Sequence, residues 1–297
     1  MDTLENLRNK TQGAKDLKSV VSAMKALAGS NIVQYETAVS SLADYYHTIA
    51  LGIIAYFMAE NIDGIKDPNE HKLKSDETIC AIVFGTDQGL VAQFNDEMAS
   101  FVVKSLQEIP GKKELWIVGE RVQLLLSDEG FKSSKLFPVP NDLSAVAPLV
   151  TEILKQSRES QQKQEISAFY IFHNQPKEGA GYIPVMHRFL PLDEKWKNTL
   201  QEVHWPTKLL PQIAGNAKQT LIALINGYLF TSLFKSCVES LASENASRLD
   251  AMQRAEKNIS DLLDDLNKKY HQLRQSSIDE ELFDVVSGFE ALNKKLQ

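Results

Sequence analysis

Three groups of residues in this chain have types and spacing that could carry chemistry. The first is the turn Gly85-Thr86-Asp87-Gln88-Gly89, which follows the apolar run Thr78 to Phe84 and opens a stretch of helical pattern. Backbone N–H groups at such a strand-to-helix turn can bind phosphate. The turn is neither G-x-G-x-x-G nor G-x-x-x-x-G-K-[ST], and it offers no lysine. A structural turn with Asp87 as a cap is therefore favoured over a nucleotide site. The second group is Glu281 and Asp284, three residues apart and so on one helical face. Two carboxylates can share acid and base roles, but nothing basic or nucleophilic sits beside them, and a solvated acidic face is the default. The third is the histidines, His47, His71, His173, His187, His204 and His271. Their spacing is neither H-E-x-x-H nor a Cys/His ligand pattern, so no metal site and no cofactor is expected.

The two cysteines, Cys80 and Cys237, lie far apart in apolar stretches. They read as buried small hydrophobes in a reducing compartment. Hydrophobic residues make up 43% of the 297, which suits a soluble globular protein, and the formal net charge is −7. An acidic chain is a poor nucleic-acid binder, because phosphate neutralisation needs clustered Lys and Arg. The first twelve residues mix acids and bases without an apolar core, so no targeting segment is expected there.

The elements that must position these residues fall into three parts. Residues 1–62 lack proline, and Leu4, Leu7, Ala14, Leu17, Val21, Met24 and Leu27 recur at helical spacing. A linker at 63–76 carries Gly64, Pro68 and several charges. Residues 77–191 alternate short apolar runs with helical stretches, the pattern of a Rossmann-like α/β domain with a largely parallel sheet. Strands are expected at Thr78 to Phe84, Leu115 to Val118, Phe131 to Phe137, Ile166 to Phe172 and Tyr182 to Phe189, with Asp142 capping the helix before the fourth. A proline-bearing connector covers 192–211.

From 212 to 297 a second helical segment keeps a three-and-four rhythm through Leu249, Met252, Ile259, Leu262, Leu266, Tyr270 and Leu273. A helix of about 80 residues would run roughly 120 Å at 1.5 Å per residue. A break near Gly227 or at Ser240 to Ser243 is the alternative. The fold class expected is α/β, with an antiparallel coiled coil of the two terminal helices around the α/β domain.

The motifs along the last helix resemble one family. Glu239-Ser240-Leu241-Ala242-Ser243-Glu244-Asn245-Ala246-Ser247-Arg248-Leu249-Asp250-Ala251-Met252 is similar to the "ENLASE-x-AARM-x-AM" stretch of F-type ATPase gamma subunits. Arg274-Gln275 followed by Ile278 to Gly288 is similar to that family's "RQ-x-x-IT-x-EL-x-EIVSGA". Ala23-Met24-Lys25-Ala26-Leu27-Ala28 resembles its "AMK-x-VA", and Gly85 to Leu90 resembles its "SDRGLCG" turn. The sequence also departs from the pattern. The basic run expected after Lys25 is replaced by Gly29-Ser30-Asn31-Ile32-Val33, Gln88 stands for arginine, and Val91-Ala92-Gln93 stands for "CGG". Asp279 and Phe289 replace the signature threonine and alanine. The departures point to a divergent branch, of the kind some microbes carry as an alternate rotary ATPase.

The resemblance implies a central rotor shaft that makes and breaks no bond itself. It implies a hexamer of catalytic and non-catalytic ATPase subunits around the shaft, an epsilon-type rotor subunit, and a ring of membrane subunits under the foot. The position would be peripheral, on the cytoplasmic face of the plasma membrane. Stator contacts are expected from Met24, Lys25, Arg248, Arg274, Glu281, Asp284 and Gly288, and ring contacts from His204, Trp205 and Pro206. Two other readings compete. A Rossmann-like enzyme with helical extensions would bind a nucleotide near Gly85 to Gly89, and a coiled-coil adaptor would leave the middle-domain matches unexplained.

Overall fold

A computed structural model describes residues 3–59, 76–177, 181–192, 196, 200, 205, 207, 209, 212–213 and 215–294. The chain divides into two compact units. One is Ala28–Arg248, and the other combines Met1–Leu27 with Leu249–Gln297. Two long helices contribute to both: α1, Leu4–Ala59, and α5, Ala217–Lys294. Each begins at a capped end. Thr3 Oγ1 accepts from the Asn6 N–H at 3.2 Å, and Asn216 Oδ1 accepts from the Gln219 N–H at 3.1 Å.

In the unit of the chain ends, Leu7, Ala14 and Val21 of α1 are buried with Met252, Ile259 and Leu266 of α5. Both sets recur every seven residues, the spacing that keeps one seam facing its partner. One polar cluster closes the seam. Glu256 accepts from Ser22 Oγ at 2.9 Å on one oxygen and pairs with Lys25 on the other. The Lys25 and Ser22 hydrogen bonds hold the Glu256 carboxyl below the usual carboxylate range. A lowered folded value means that the pair's stabilisation is present above the unfolded pKa and is lost as pH falls through the folded one. Carboxyl-carbon NMR is expected to show Glu256 titrating below a free glutamate, and Lys25→Met should return it upward.

The Ala28–Arg248 unit is built on a five-stranded sheet in the order β3-β2-β1-β4-β5. Its strands are β1 (Thr78–Phe84), β2 (Lys112–Val118), β3 (Ser133–Phe137), β4 (Ala168–Pro176) and β5 (Tyr182–Leu190). β1 pairs in parallel with β2 and β4, β2 in parallel with β3, and β5 closes the edge antiparallel to β4. β1 is buried along nearly its whole length, as a central parallel strand covered on both faces must be. Alternate residues serve opposite faces. Ile79, Ala81 and Val83 meet α2 (Phe94–Glu108) and α3 (Glu120–Asp128). Cys80, Ile82 and Phe84 meet α4 (Val146–Gln162) and the Leu229-to-Ala242 part of α5.

Both cysteines are buried in this second face, as composition suggested. Asp142 caps the short 3₁₀ turn Leu143–Ala145 that leads into α4, accepting from the Ala145 N–H at 3.1 Å. β4 runs further than its apolar stretch predicts, because pairing with β5 carries it to Pro176.

Within this unit α1 and α5 run antiparallel: Asn31 meets Asn245, and Tyr46 meets Tyr228. The break considered near Gly227 does not occur. A Cβ there would sit 3.1 Å from Ile49 Cδ1, and one at Gly52 would sit 2.8 Å from Leu224 Cδ2. These glycines let the helices approach closely. By length and composition alone α5 would pass for a membrane span, with a mean hydropathy of 1.5 in its most apolar window. Its Leu229, Leu233, Cys237 and Val238 are buried in the sheet-facing core, and about a third of the apolar window is buried in all.

Candidate functional site

In open α/β sheets ligands sit at the carboxyl ends of the strands. Here that position follows Phe84, Val118 and Phe137, and it is closed by the chain's own groups. Asp87 does act as a cap, but for α3 rather than for the helix after its own turn. Its Oδ1 accepts from the Glu120 N–H and its Oδ2 from the Val139 N–H, both at 2.9 Å. Thr86 is fixed by buried Asn95, whose Oδ1 accepts from the Thr86 N–H at 3.1 Å. The cavity left among Asp87, Gln88, Asn141, Tyr35, Glu244 and Arg248 has about 140 Å³. Ligand pockets run to roughly 300–1,000 Å³, so this one is small, and both Asp87 carboxylate oxygens are engaged by the chain's own N–H groups.

The loop beyond the turn holds Leu90 at φ 64° and Ala92 at φ 49°. A left-handed conformation costs an L-residue about 1–2 kcal/mol and glycine nearly nothing. Ala92 occupies a position where the resembling motif has glycine, and its side chain is exposed. Ala92→Gly is therefore expected to stabilise the chain by about 1 kcal/mol, read as a higher denaturant midpoint.

The residues expected to meet partners are placed unevenly. Arg274, Glu281 and Asp284 are exposed on α5. Met24 is partly buried in the seven-residue seam, and Lys25 is held by Glu256. Arg248 is mostly buried, with 11% of its side chain exposed, and it binds Glu244 Oε1 at 2.6 Å one helical turn away. Burial raises the Glu244 carboxyl above the usual range even beside this guanidinium. Gly288 lies in the helical backbone of α5. Trp205 Nε1 donates to the Leu209 carbonyl at 3.0 Å. His204 and Pro206 lie outside the described residues.

A buried pair joins β4 to α5 with no sign of it in the sequence. His173 of β4 donates through Nε2 to Glu239 Oε2 of α5 at 2.9 Å, with side chains 5% and 9% exposed. Burial pushes the Glu239 carboxyl up, but His173 and Lys235 outweigh it and hold the carboxyl below the usual range. The pair lines a cavity of about 570 Å³ with Tyr46, His187, Tyr228 and Lys235. Nothing in the spacing of His173 and Glu239, 66 residues apart, links them. Among the described residues no group of three or more His, Cys, Asp or Glu could hold a metal.

A second feature is an apolar surface. Leu282, Phe283 and Val285 on α5 are 62%, 71% and 71% exposed, beside half-exposed Val286 and Ile278. So many large apolar side chains left in water within one short stretch mark an interaction surface.

Comparison with known proteins gives a uniform result. A family profile described as ATP synthase matches residues 3–292. The ATP synthase gamma chain of Hydrogenobaculum sp. is 25% identical over 97% of this chain and 98% of its own length. That of Christiangramia forsetii is 26% identical over 99% and 100%. Among solved structures, a chain of the Euglena gracilis mitochondrial ATP synthase OSCP/F1/c-ring assembly superposes with a TM-score of 0.62 at 16% identity, covering 99% of this chain and 96% of that one. A chain of the rotor of the same enzyme gives 0.60 over 93% and 98%. At such identity the structures attest the fold.

Proposed function

Because the chain belongs to the ATP synthase gamma-chain family, which its profile matches from residue 3 to 292, we propose that it is the central shaft of a rotary ATP synthase. In this reading it is a non-catalytic subunit that couples ion-driven rotation of a membrane ring to ATP synthesis or hydrolysis in surrounding subunits. The observation that carries the reading from family to mechanism is the exposed apolar end of α5 at Ile278, Leu282, Phe283, Val285 and Val286. Such a surface needs a sleeve around it, and a hexamer of catalytic and non-catalytic subunits provides one.

The shaft does its work as a shape. Each catalytic subunit meets a different side of it, and the differences in contact free energy set the three subunits in different conformations. The two helices act as an antiparallel coiled coil, with Arg274, Glu281, Asp284 and Gly288 facing the stator directly. Met24 and Lys25 contribute from the α1 side of the seam. Arg248, engaged with Glu244, acts through the helix surface it holds rather than as a free charge. His204, Trp205 and Pro206 belong to the ring contact, and an epsilon-type subunit shares the rotor. The complex places the chain peripherally on the cytoplasmic face of the plasma membrane.

Co-purification tests the assembly. A tagged copy is expected to bring down catalytic ATPase subunits at about three per tagged chain, as one shaft serving three sites requires. Recovery of the chain alone, or with partners that bind no nucleotide, would contradict the reading.

A further inference from the structure

One face of α5 in the Ala28–Arg248 unit carries polar residues that apolar packing does not explain. Glu239, Ser243 and Ser247 are spaced four apart and so stack along one side of the helix. They are 7%, 0% and 8% exposed. Each makes a bond that leaves the helix for a different point of the α/β domain. Glu239 accepts from His173 Nε2 at 2.9 Å, Ser243 Oγ donates to the Asn174 carbonyl at 3.1 Å, and Ser247 Oγ donates to the Val91 carbonyl at 2.6 Å. Other hydroxyls of the same helix behave differently. Thr231 and Ser236 donate back to the carbonyl four residues earlier, at Gly227 and Ser232.

The adjoining face packs Leu233, Cys237, Val238, Leu241 and Ala242 into the sheet core. Apolar contact is non-directional, so it sets the position of a helix less sharply than a hydrogen bond does. A slip by one residue moves a helix by about 1.5 Å and 100°, which here would bring Glu239 to the place of Val238 and Ser243 to that of Ala242 in the core. Buried hydrogen bonds do not tolerate that shift, because distance and angle both fail and the polar groups lose their partners away from water. Three such bonds in a row, spread over two turns of helix, define both rotation and axial register.

We propose that Glu239, Ser243 and Ser247 form a torque clamp that locks α5 to the α/β domain, so that load on the domain and rotation of the shaft move as one. The clamp rests on the rotor reading and adds to it the residues that prevent slip. They are positioning residues, since none touches a reacting group.

The test uses the assembled complex with its hexamer immobilised and a bead attached to the α/β domain through Asp128→Cys at the exposed end of α3. ATP-driven rotation is followed against increasing viscous drag. The S243A/S247A variant is expected to keep the unloaded hydrolysis rate while slipping at least about fivefold more often under load, the weight of one net hydrogen bond. Serine-to-threonine replacement at both positions keeps the hydroxyls and should restore loaded rotation. If the double variant does not assemble, Ser247→Ala alone carries the same measurement. An unchanged slip frequency in the variant overturns the clamp and leaves the rotor standing. Absence of any rotation in the unmodified complex would overturn the rotor reading itself.

Discussion

Removing Glu281 to Gln297 is expected to leave both compact units folded and to weaken assembly with the ATPase hexamer by tenfold or more. The buried positions of the seven-residue seam end at Leu266, and residues 281–287 are all exposed. The deletion therefore takes no core side chain from the described residues. It does take Leu282, Phe283, Val285 and Val286. Fully covering one such side chain is worth about 1.5–3 kcal/mol, and about 1.4 kcal/mol is already tenfold in affinity. Two readings separate the outcomes. Thermal unfolding of the isolated chain should move little, while the dissociation constant for the hexamer and the coupling of ion transport to hydrolysis should both deteriorate. Unchanged affinity would mean that the apolar end of α5 is not the part the stator grips.

Gly119→Ala should have the opposite profile, weakening the fold of the α/β unit itself rather than its grip on a partner. Gly119 sits at φ 108°, and a Cβ there would lie 2.7 Å from the Thr86 nitrogen and 2.9 Å from the Gly85 carbonyl carbon. Those atoms are backbone and cannot swing aside. They are also tied in place: the Gly85 N–H donates to the Val118 carbonyl at 2.8 Å, and the Gly119 N–H donates to the Phe137 carbonyl at 3.1 Å. Clash and left-handed strain act together on the ends of three parallel strands. A loss on the order of 4 kcal/mol is expected, measured by denaturant unfolding of the chain. A loss below about 0.5 kcal/mol, within the range of ordinary surface changes, would show that the crevice is looser than the structure has it. The gain expected from Ala92→Gly makes a control of opposite sign in the same loop system.

Much of this architecture is legible in the residues because the governing patterns are local. Thr78 to Phe84 reads as a buried strand from composition alone, and the helical stripe from Leu4 to Leu27 reads as a seam, of which Leu7, Ala14 and Val21 are buried while Leu17 and Leu27 are exposed. Asp87 is recognisable as a capping residue, but a side chain that reaches 33 residues forward to Glu120 and 52 to Val139 has no signature in spacing. The same holds for His173 with Glu239, joined only once β4 and α5 are packed. Gly227 invites a helix break by propensity, and tertiary contact with Ile49 overrides it.

The partner-facing residues divide in the same way. Arg274 is exposed as a charged residue beside the seam, whereas Glu281 and Asp284 are exposed because every side chain from 281 to 287 is, apolar ones included. The near-burial of Arg248 follows from where α5 crosses the ends of the strands, which no one-dimensional pattern reports. The missing basic run after Lys25 has a structural counterpart as well. Asn31 there turns its amide to Asn245 at 3.4 Å, so this stretch of α1 serves the helix pair instead of presenting charge.

Rotation is the property on which everything else depends. With the hexamer fixed to a surface and a fluorescent probe on the Ala28–Arg248 unit, addition of ATP is expected to turn the probe in one direction, in three equivalent steps per revolution, one for each catalytic site. A probe that stays still or rocks without net direction, in a complex that is hydrolysing ATP, would contradict the assignment of this chain as the shaft.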